Sequence, residues 1–290
     1  MKLGFLVVYL LRDENEKLLD LHLNQIAACT EVPYTIYAAV NRLQDRFRSK
    51  LLLSNVKIVD IPTTALRGIE EHSYYLDHLA AAAVAGGVTH VCTLHVDSFP
   101  IRRGWSSDLA AKLRGDCVLV ATMRDAASRY PVTSLMMFPR EFYLQHRPVF
   151  STPKEVRDLP EYRRYEEASG CGPRPDSGAG YGFTIFSRNL SWTPMTRTDR
   201  VPAGFGFGVF DDAIFHLGAA VWWPESREAV ETTGTVKMLA LARLPRRAIA
   251  SVFPATIAAK ITSEAAAWRR EKRRRDLLAN PEAFLRSIRK

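Results

Sequence analysis

The sequence lacks the cysteine and hydrophobic patterns that mark several large protein classes. Its four cysteines form no CxxC pair and no zinc-ligand spacing. The apolar run Leu3–Leu11 is followed directly by charged residues, whereas a transmembrane helix needs about 20 apolar residues. This run also lacks the basic start and the cleavage site of a signal peptide. Together with Cys92 and Cys117, which lie in apolar runs typical of buried strands, these absences predict a cytoplasmic protein with reduced thiols.

Two glycine-rich phosphate-binding motifs are also missing. No GxGxxG follows the first predicted strand, and GxxxxGK[ST] occurs nowhere in the chain. Each motif places backbone N–H groups against phosphate oxygens. Their absence disfavours dinucleotide-binding enzymes and P-loop nucleotide hydrolases.

The charge is concentrated at the C-terminal end. The chain has 290 residues, a hydrophobic fraction of 47% and a formal net charge of +9. Basic residues crowd 269–275 and 286–290, and the rest of the chain is close to neutral. Such a tail is most often a solvated helix surface, but it also suits an anionic membrane surface or nucleic acid.

Strand and helix patterns alternate through the first 125 residues. This order predicts an α/β fold with a mostly parallel sheet and helices on both faces. The predicted strands are Gly4–Leu11, Tyr34–Val40, Val56–Ile61, Thr89–Asp97 and Cys117–Met123, and the predicted helices are Glu14–Cys29, Gln44–Leu53, Ile69–Ala85 and Asp108–Leu113.

The pattern changes after residue 125, where polar and glycine-rich connections separate shorter elements. The predicted strands are Ser134–Phe138 and Phe183–Phe186, and the predicted helices are Arg140–His146, Asp211–Val221, Thr262–Arg275 and Pro281–Arg289.

A histidine and an aspartate stand at the end of the fourth predicted strand. His95 and Asp97 are spaced i, i+2, so their side chains project from the same side of the strand. The carboxyl ends of strands are where open α/β sheets bind their ligands. A His-x-Asp sequence before a proline turn is more often a capped strand end than a metal site, and both interpretations stay open.

Three segments together resemble the nucleotide-sugar-dependent glycosyltransferases of the GT-A fold, close to the family-2-like bacterial enzymes. The first is the helix around Glu71–Ala80, which leads into the strand that ends at Asp97. The second is His95-Val-Asp97, which stands where such enzymes carry their DxD motif. The third is Phe210–His216, with an acidic pair that resembles the one that opens a downstream helix. The likeness covers about Gly4 to Trp223.

The resemblance implies a divalent metal, Mn²⁺ or Mg²⁺, held by Asp97. His95 replaces the first acidic residue of the motif, and Mn²⁺ tolerates a nitrogen ligand better than Mg²⁺ does. His216 is the expected third ligand. Arg102 and Arg103 would supply counter-charge to the diphosphate of the donor.

The resemblance also implies a carboxylate base on the acceptor side, for which Asp212 is expected and its neighbour Asp211 is the second candidate. His216 follows Asp212 by four residues and would share its face of the predicted helix. Two alternatives remain. Asp211 is suited to be a helix N-cap, and His216 is equally consistent with a buried core histidine or with a residue that orients the base.

Fold analogy places four further residues at the border of the donor site. Tyr9 would stack on or border the nucleobase, and Asn41 would lie next to the nucleoside. His72 and Asp77 lie on the helix that precedes the His-x-Asp strand, and both are also typical of a helix surface.

The expected protein is therefore a GT-A-like glycosyltransferase. It would transfer a sugar from a nucleotide-diphosphate sugar to a hydroxyl acceptor, which could be a saccharide, a lipid-linked acceptor or a small molecule, in polysaccharide, glycolipid or natural-product assembly. Residues 1–240 would form the catalytic domain, with a nucleotide-binding half (1–125) and an acceptor half (126–240). Residues 241–290 would form a basic helical extension that contacts the inner membrane surface, with nucleic acid disfavoured.

Two other functions stay open. A nucleotidyltransferase shares the sheet and the need for a metal, but the acidic residues after the first strand, Asp13 and Glu14, count against a triphosphate site. A catalytically inactive GT-A-like scaffold, held at a membrane or on nucleic acid by its tail, is kept open by the histidine at position 95.

Overall fold

The structure is a computed structural model that describes residues 1–11, 15–41, 43–52, 55–123, 128–172, 175–199, 207–218 and 271–288. Every statement below concerns these residues. The strands are β1 (Leu3–Val8), β2 (Tyr34–Ala39), β3 (Val56–Ile58), β4 (His90–Leu94), β5 (Ser98–Pro100), β6 (Cys117–Met123), β7 (Pro131–Pro139), β8 (Ser191–Pro194), β9 (Gly208–Phe210) and β10 (Ile214–His216). The helices are α1 (Glu16–Cys29), α2 (Asp45–Leu52), α3 (Ile69–Ala85), α4 (Trp105–Lys112), α5 (Arg140–His146), α6 (Lys154–Arg157), α7 (Pro160–Ser169), α8 (Ala179–Ser187) and α9 (Pro281–Ile288).

Seven strands form the main sheet, in the order β3-β2-β1-β4-β7-β6-β8. Only β7 runs antiparallel to its neighbours, β4 and β6, while the other pairs in this sheet are parallel. The α/β prediction of a mixed, mostly parallel sheet, which the resemblance to the GT-A fold also implied, is confirmed by this topology. The sheet also runs without a break across the predicted boundary at residue 125, because β6 and β7 are paired neighbours.

Strand β1 shows why the sheet is covered on both faces. Phe5 and Val7 are fully buried in one core cluster, and Leu6, between them, is fully buried in the other. A strand whose alternating side chains are all apolar needs packing partners on both sides. Helices α1, α2 and α4 supply one layer, and α3, α5 and α8 supply the other.

A second, three-stranded antiparallel sheet, β5-β10-β9, lies beyond the carboxyl end of β4. Ser98 pairs with His216 and Pro100 pairs with Ile214. No strand is predicted at Ser98–Pro100, because three residues that end in proline resemble a turn.

The C-terminal residues pack on this second sheet. Residues 271–279 are helical and are followed by α9. Leu277, Leu285 and Ile288 are buried in one cluster with Phe99 and Phe215 of the small sheet. The predicted helices in this region are confirmed for the residues that the structure describes, whereas residues 241–270 lie outside them.

Several of the tail's basic side chains contact the protein itself. The Arg273 guanidinium lies 4.0 Å from the centroid of the Phe207 ring. Arg274 is buried, and it donates to Glu271 Oε1 at 2.9 Å and to Asn15 Oδ1 at 3.3 Å. These contacts make part of the basic run structural. None of the described helices combines the length and the apolar character needed to cross a bilayer.

Two predictions of local structure are wrong. Residues predicted as the strand Phe183–Phe186 belong to helix α8. The glycines before them suggest a loop, but Gly180 and Gly182 lie inside this helix, where it approaches neighbouring groups closely. Residues 211–218, predicted to begin a helix, instead form a hairpin turn and strand β10.

Candidate active site

His95, Asp97 and His216 meet at the junction of the two sheets. One ligand atom of each lies within 4.8 Å of the others, and this is the one group of three or more potential metal ligands found among the described residues. His216 Nε2 is 3.5 Å from Asp97 Oδ1, and both side chains are more than nine-tenths buried. The structure thus brings the three predicted metal ligands together.

His216 is held in this position by the pairing of strand β10 with β5, and not by a helix. His216 lies opposite Ser98 in the β5–β10 ladder, and the Leu217 N–H donates to the Asp97 carbonyl at 2.9 Å. The Phe215 and Leu217 side chains point to the other face of β10, into the cluster that the C-terminal residues cover. The position of His216 therefore depends on the small sheet and on the helices packed beneath it.

Burial keeps the imidazole of His95 neutral. Its pKa is lowered to about 4, first by desolvation and then by the neighbouring His216, against the opposite effect of Asp97 and Asp176. A neutral imidazole has a free lone pair, and a buried carboxylate needs a compensating charge. Two imidazoles and one carboxylate suit a divalent ion that accepts both nitrogen and oxygen, which fits Mn²⁺ better than Mg²⁺.

Two further histidines approach the cluster, so that four of the seven histidines in the chain lie in it or beside it. The His72 ring on α3 lies 5.2 Å from the His95 ring, centroid to centroid. His22 on α1 is fully buried, and its Nδ1 lies 3.0 Å from the Ser98 carbonyl oxygen. Burial lowers the pKa of His72 to about 3 and that of His22 to about 4. His72 therefore lies beside the cluster.

Thr133 and Ser177 were not singled out from the sequence, yet both contact the site. Thr133 Oγ1 lies 3.2 Å from His95 Nε2 and 2.8 Å from Ser177 Oγ. Ser177 Oγ in turn lies 3.0 Å from His72 Nδ1. A single threonine or serine in an apolar strand or before a glycine carries no sequence signal, so only the fold could identify them.

Asp211 and Asp212 form the turn of the β9–β10 hairpin, which corrects their predicted position at a helix start. Both have φ of 51°, in the left-handed region that aspartate tolerates better than most residues. Asp211 Oδ2 accepts a bond from Lys112 Nζ at 2.7 Å. The turn and His216 stand at opposite ends of β10, so the proposed helix face shared by Asp212 and His216 does not exist.

Arg102, one of the two predicted diphosphate contacts, lies at the same end of the hairpin. Arg102 donates to Asp108 Oδ2 at 2.6 Å and to the Asp212 carbonyl at 3.1 Å. Arg103 is exposed, and its Nε donates to the Ala28 carbonyl at 3.4 Å. The structure therefore groups Arg102 with the Asp211–Asp212 turn, whereas Arg103 contacts the C-terminal end of α1.

The remaining predicted site residues are spread around the end of the main sheet. Tyr9 is 1% exposed and packs edge-on against His22, which places its ring in the core instead of against a nucleobase. Asn41 is exposed and donates to the Ile61 carbonyl at 2.8 Å. Asp77 accepts the Phe150 N–H at 3.0 Å, and burial raises its pKa to about 7.

Comparison with known proteins finds distant likenesses in structure alone. No family model matches the chain, and no curated protein matches it. A mannosyltransferase from Pyrobaculum calidifontis, in complex with GDP-Man and Mn²⁺, is 12% identical, with 49% of this chain and 46% of that chain covered and a TM-score of 0.37. A Drosophila β1,4-galactosyltransferase 7, in complex with manganese, UDP-Gal and xylobiose, is 12% identical over 74% and 70% of the two chains, with a TM-score of 0.39.

A nucleoside-diphosphate-sugar pyrophosphorylase from Vibrio cholerae is 14% identical over 67% of this chain and 91% of that chain, with a TM-score of 0.36. The chain spans less than half the length of the Pyrobaculum enzyme. Two glycosyltransferases and a nucleoside-diphosphate-sugar pyrophosphorylase are thus found at similar distance. The activity has to be argued from the site itself.

Proposed function

We propose that the protein is a metal-dependent glycosyltransferase that takes a sugar from a nucleotide-diphosphate sugar to a hydroxyl acceptor. The observation that carries the proposal is the His95–Asp97–His216 cluster at the carboxyl end of β4. A buried carboxylate between two imidazoles, at the edge where α/β sheets bind ligands, is the donor set for one divalent ion. Mn²⁺ is the ion we expect.

The chemistry of the proposed reaction requires such an ion. Departure of a nucleoside diphosphate leaves negative charge on the phosphate oxygens, which a bound divalent cation neutralises. Asp97 and the two histidines would hold the ion, and oxygens of the donor diphosphate would complete its coordination. Saccharides, lipid-linked acceptors and small-molecule alcohols all supply the hydroxyl that this reaction consumes, as in polysaccharide, glycolipid or natural-product assembly.

The acceptor hydroxyl also needs a base, and Asp212 is the residue predicted for it. Asp212 precedes His216 by four residues, which corresponds to on the order of 13 Å along the chain at about 3.3 Å per residue. The carboxylate remains a predicted base that a substitution can test.

Contact of the tail with an anionic membrane is a separate prediction, which cosedimentation with phosphatidylserine vesicles at low salt would check against neutral vesicles.

A thermal-shift panel tests the metal and the donor together. UDP-, GDP-, dTDP- and CDP-sugars would each be added with Mn²⁺ and with EDTA. At 100 times its Kd, Mn²⁺ should add about 2.7 kcal/mol to the free energy of unfolding. We expect one nucleotide family to stabilise the protein further, and only when the metal is present.

The matched variants are Asp97→Asn and Asp116→Asn. Asp116 is exposed on the loop before β6, so its change should leave the shift intact. Asp97→Asn removes the anionic ligand and should abolish both the Mn²⁺ shift and sugar transfer from the donor. Undiminished donor binding in EDTA would favour the scaffold function, and release of pyrophosphate from a nucleoside triphosphate and a sugar phosphate would favour a nucleotidyltransferase.

A further inference from the structure

A chain of hydrogen bonds links His95 to a second histidine through two buried hydroxyls. It runs from His95 Nε2 to Thr133 Oγ1 (3.2 Å), to Ser177 Oγ (2.8 Å) and to His72 Nδ1 (3.0 Å). The four residues come from four separate places: the end of β4, strand β7, the loop before α8 and helix α3. Such a path is built by the tertiary fold and not by one local turn.

The two hydroxyls are held in place by their surroundings. Thr133 is 1% exposed and Ser177 is 2% exposed, so each hydroxyl must find its partners inside the protein. Gly178, with φ of 105°, brings the loop so close to β7 that an added Cβ would lie 2.6 Å from the Pro131 carbonyl oxygen. The Ser177 N–H also donates to Asp176 Oδ1 at 2.8 Å. The loop therefore carries Ser177 in a fixed position against Thr133.

Each hydroxyl carries one proton and so donates one hydrogen bond. Ser177 Oγ lies 3.0 Å from His72 Nδ1 and 3.5 Å from Asp176 Oδ1, and the shorter contact sets the order of the chain. If His95 Nε2–H donates to Thr133, Thr133 donates to Ser177 and Ser177 donates to His72 Nδ1, then every link has one donor and one acceptor. In this direction Nδ1 of His95 keeps its lone pair. In the opposite direction, His95 Nδ1 would carry the proton and could not bind a cation. Metal-bound histidines commonly donate their other ring N–H to such a partner, which fixes the ring and its tautomer.

We propose that Thr133, Ser177 and His72 are positioning residues that hold the His95 ring with Nε2 toward Thr133 and leave Nδ1 as its ligand nitrogen. The ring orientation stands on the geometry alone, while the ligand role rests on the proposed metal site. His72 ends the chain as an acceptor. Loss of the Thr133 hydroxyl frees the His95 ring to rotate, and the three ligand atoms then no longer converge.

Four variants separate the hydroxyl from the shape of the side chain. Thr133→Val keeps the volume and removes the hydroxyl, Thr133→Ser keeps the hydroxyl, and Ser177→Ala breaks the chain one link further on. Thr193→Val is the matched control, because its hydroxyl lies 3.2 Å from Cys117 Sγ on the far edge of the sheet. If Thr133→Val does not fold, Ser177→Ala carries the same test.

The first readout is Mn²⁺ affinity of the full chain, measured by calorimetric titration. Thr133→Val and Ser177→Ala should weaken binding by about 10–100-fold, the usual effect of losing an outer-shell partner. Thr133→Ser should restore binding to within about threefold, and Thr193→Val should bind as the wild type does. Wild-type affinity in both Thr133→Val and Ser177→Ala would overturn the proposal.

The second readout needs no metal and keeps this proposal distinct from the proposed function. Long-range ¹H–¹⁵N spectra of the imidazoles report the hydrogen bond at Nε2 of His95 directly. Thr133→Val should shift that resonance, whereas Thr193→Val should not. If the wild type binds no divalent ion, the metal site fails while a shift at Nε2 still supports the ring orientation. An unchanged His95 spectrum in Thr133→Val would refute the orientation itself.

Discussion

Mild acid should destabilise this protein, because three buried histidines are kept neutral in the folded state. The pKa values are lowered to about 4 for His22, about 3 for His72 and about 4 for His95, against about 6.5 in an unfolded chain. As the pH falls below 6.5, the unfolded chain takes up these protons first. The free energy of unfolding therefore falls as the pH drops, and this contribution is restored above pH 6.5.

Asp77 acts in the opposite sense. Burial raises its pKa to about 7, so the folded state binds this proton before the unfolded chain does, and acid stabilises the fold through it. One proton of difference changes the free energy of unfolding by about 1.36 kcal/mol per pH unit. Three histidines against one aspartate give a net loss of up to about 2.7 kcal/mol per pH unit between pH 6 and 4.5. That is large beside a total stability of about 5–15 kcal/mol.

Urea denaturation at pH 7.5, 6.5, 5.5 and 5.0, with EDTA present, measures this slope. The His22→Gln variant is informative because His22 is fully buried and is not one of the proposed metal ligands. We expect this variant to be less stable overall, with a slope smaller by about 1.4 kcal/mol per pH unit. His146→Gln, at the end of α5, is the control and should keep the wild-type slope. Unfolding free energies that stay constant or rise from pH 6.5 to 5.0 would refute the reasoning.

Three further predictions concern the small sheet and the helices beneath it. Asp212→Gly should stabilise the protein by about 1 kcal/mol in urea denaturation, because glycine adopts the left-handed turn without strain; retained sugar transfer would show that Asp212 is a turn residue, and lost transfer with intact Mn²⁺ binding would support it as the base. Gly208 pairs with His216, and a Cβ added to Gly208 would lie 2.4 Å from Asp199 Oδ2. Gly208→Ala should therefore lower the free energy of unfolding by about 1–3 kcal/mol and weaken Mn²⁺ binding; an unchanged melting temperature would contradict this. Leu277→Ala should cost about 2–5 kcal/mol, because Leu277 is fully buried against the sheet that carries His216, while Arg286→Ala on the exposed face of α9 should cost less than about 0.5 kcal/mol.

The main sheet could be predicted because its signals are local. Apolar alternation and short connections located β1, β2, β4 and β6 within a few residues, and the predicted helix Ile69–Ala85 has the same bounds as α3. The antiparallel insertion of β7 between β4 and β6 was not foreseen. It depends on pairing between distant segments, which a single sequence does not encode locally.

The sequence named the three residues that meet in the His95–Asp97–His216 cluster, but not the way in which the fold brings them together. The i, i+2 spacing of His95 and Asp97 is a local property of one strand, so the sequence alone predicts that their side chains lie on the same side. The prediction placed His216 on a helix, whereas the structure places it on a hairpin. The two adjacent aspartates before it suit either a helix N-cap or a left-handed turn. Thr133 and Ser177 could not be found at all, since only the packing of β7 against the loop before α8 makes them neighbours of His95.

The cluster joins segments far apart in the chain, since Asp97 and His216 are separated by a stretch that includes three of the seven strands of the main sheet. Any ion that binds all three side chains would close this long loop, much as a covalent cross-link does. Ion binding would then raise the free energy of unfolding of the whole fold, including the C-terminal helices that do not contact the ion. With the ion bound, the packed C-terminal helices would resist proteolysis for longer. The rate of cleavage within residues 271–288 would therefore report whether an ion is bound at the opposite face of strand β10.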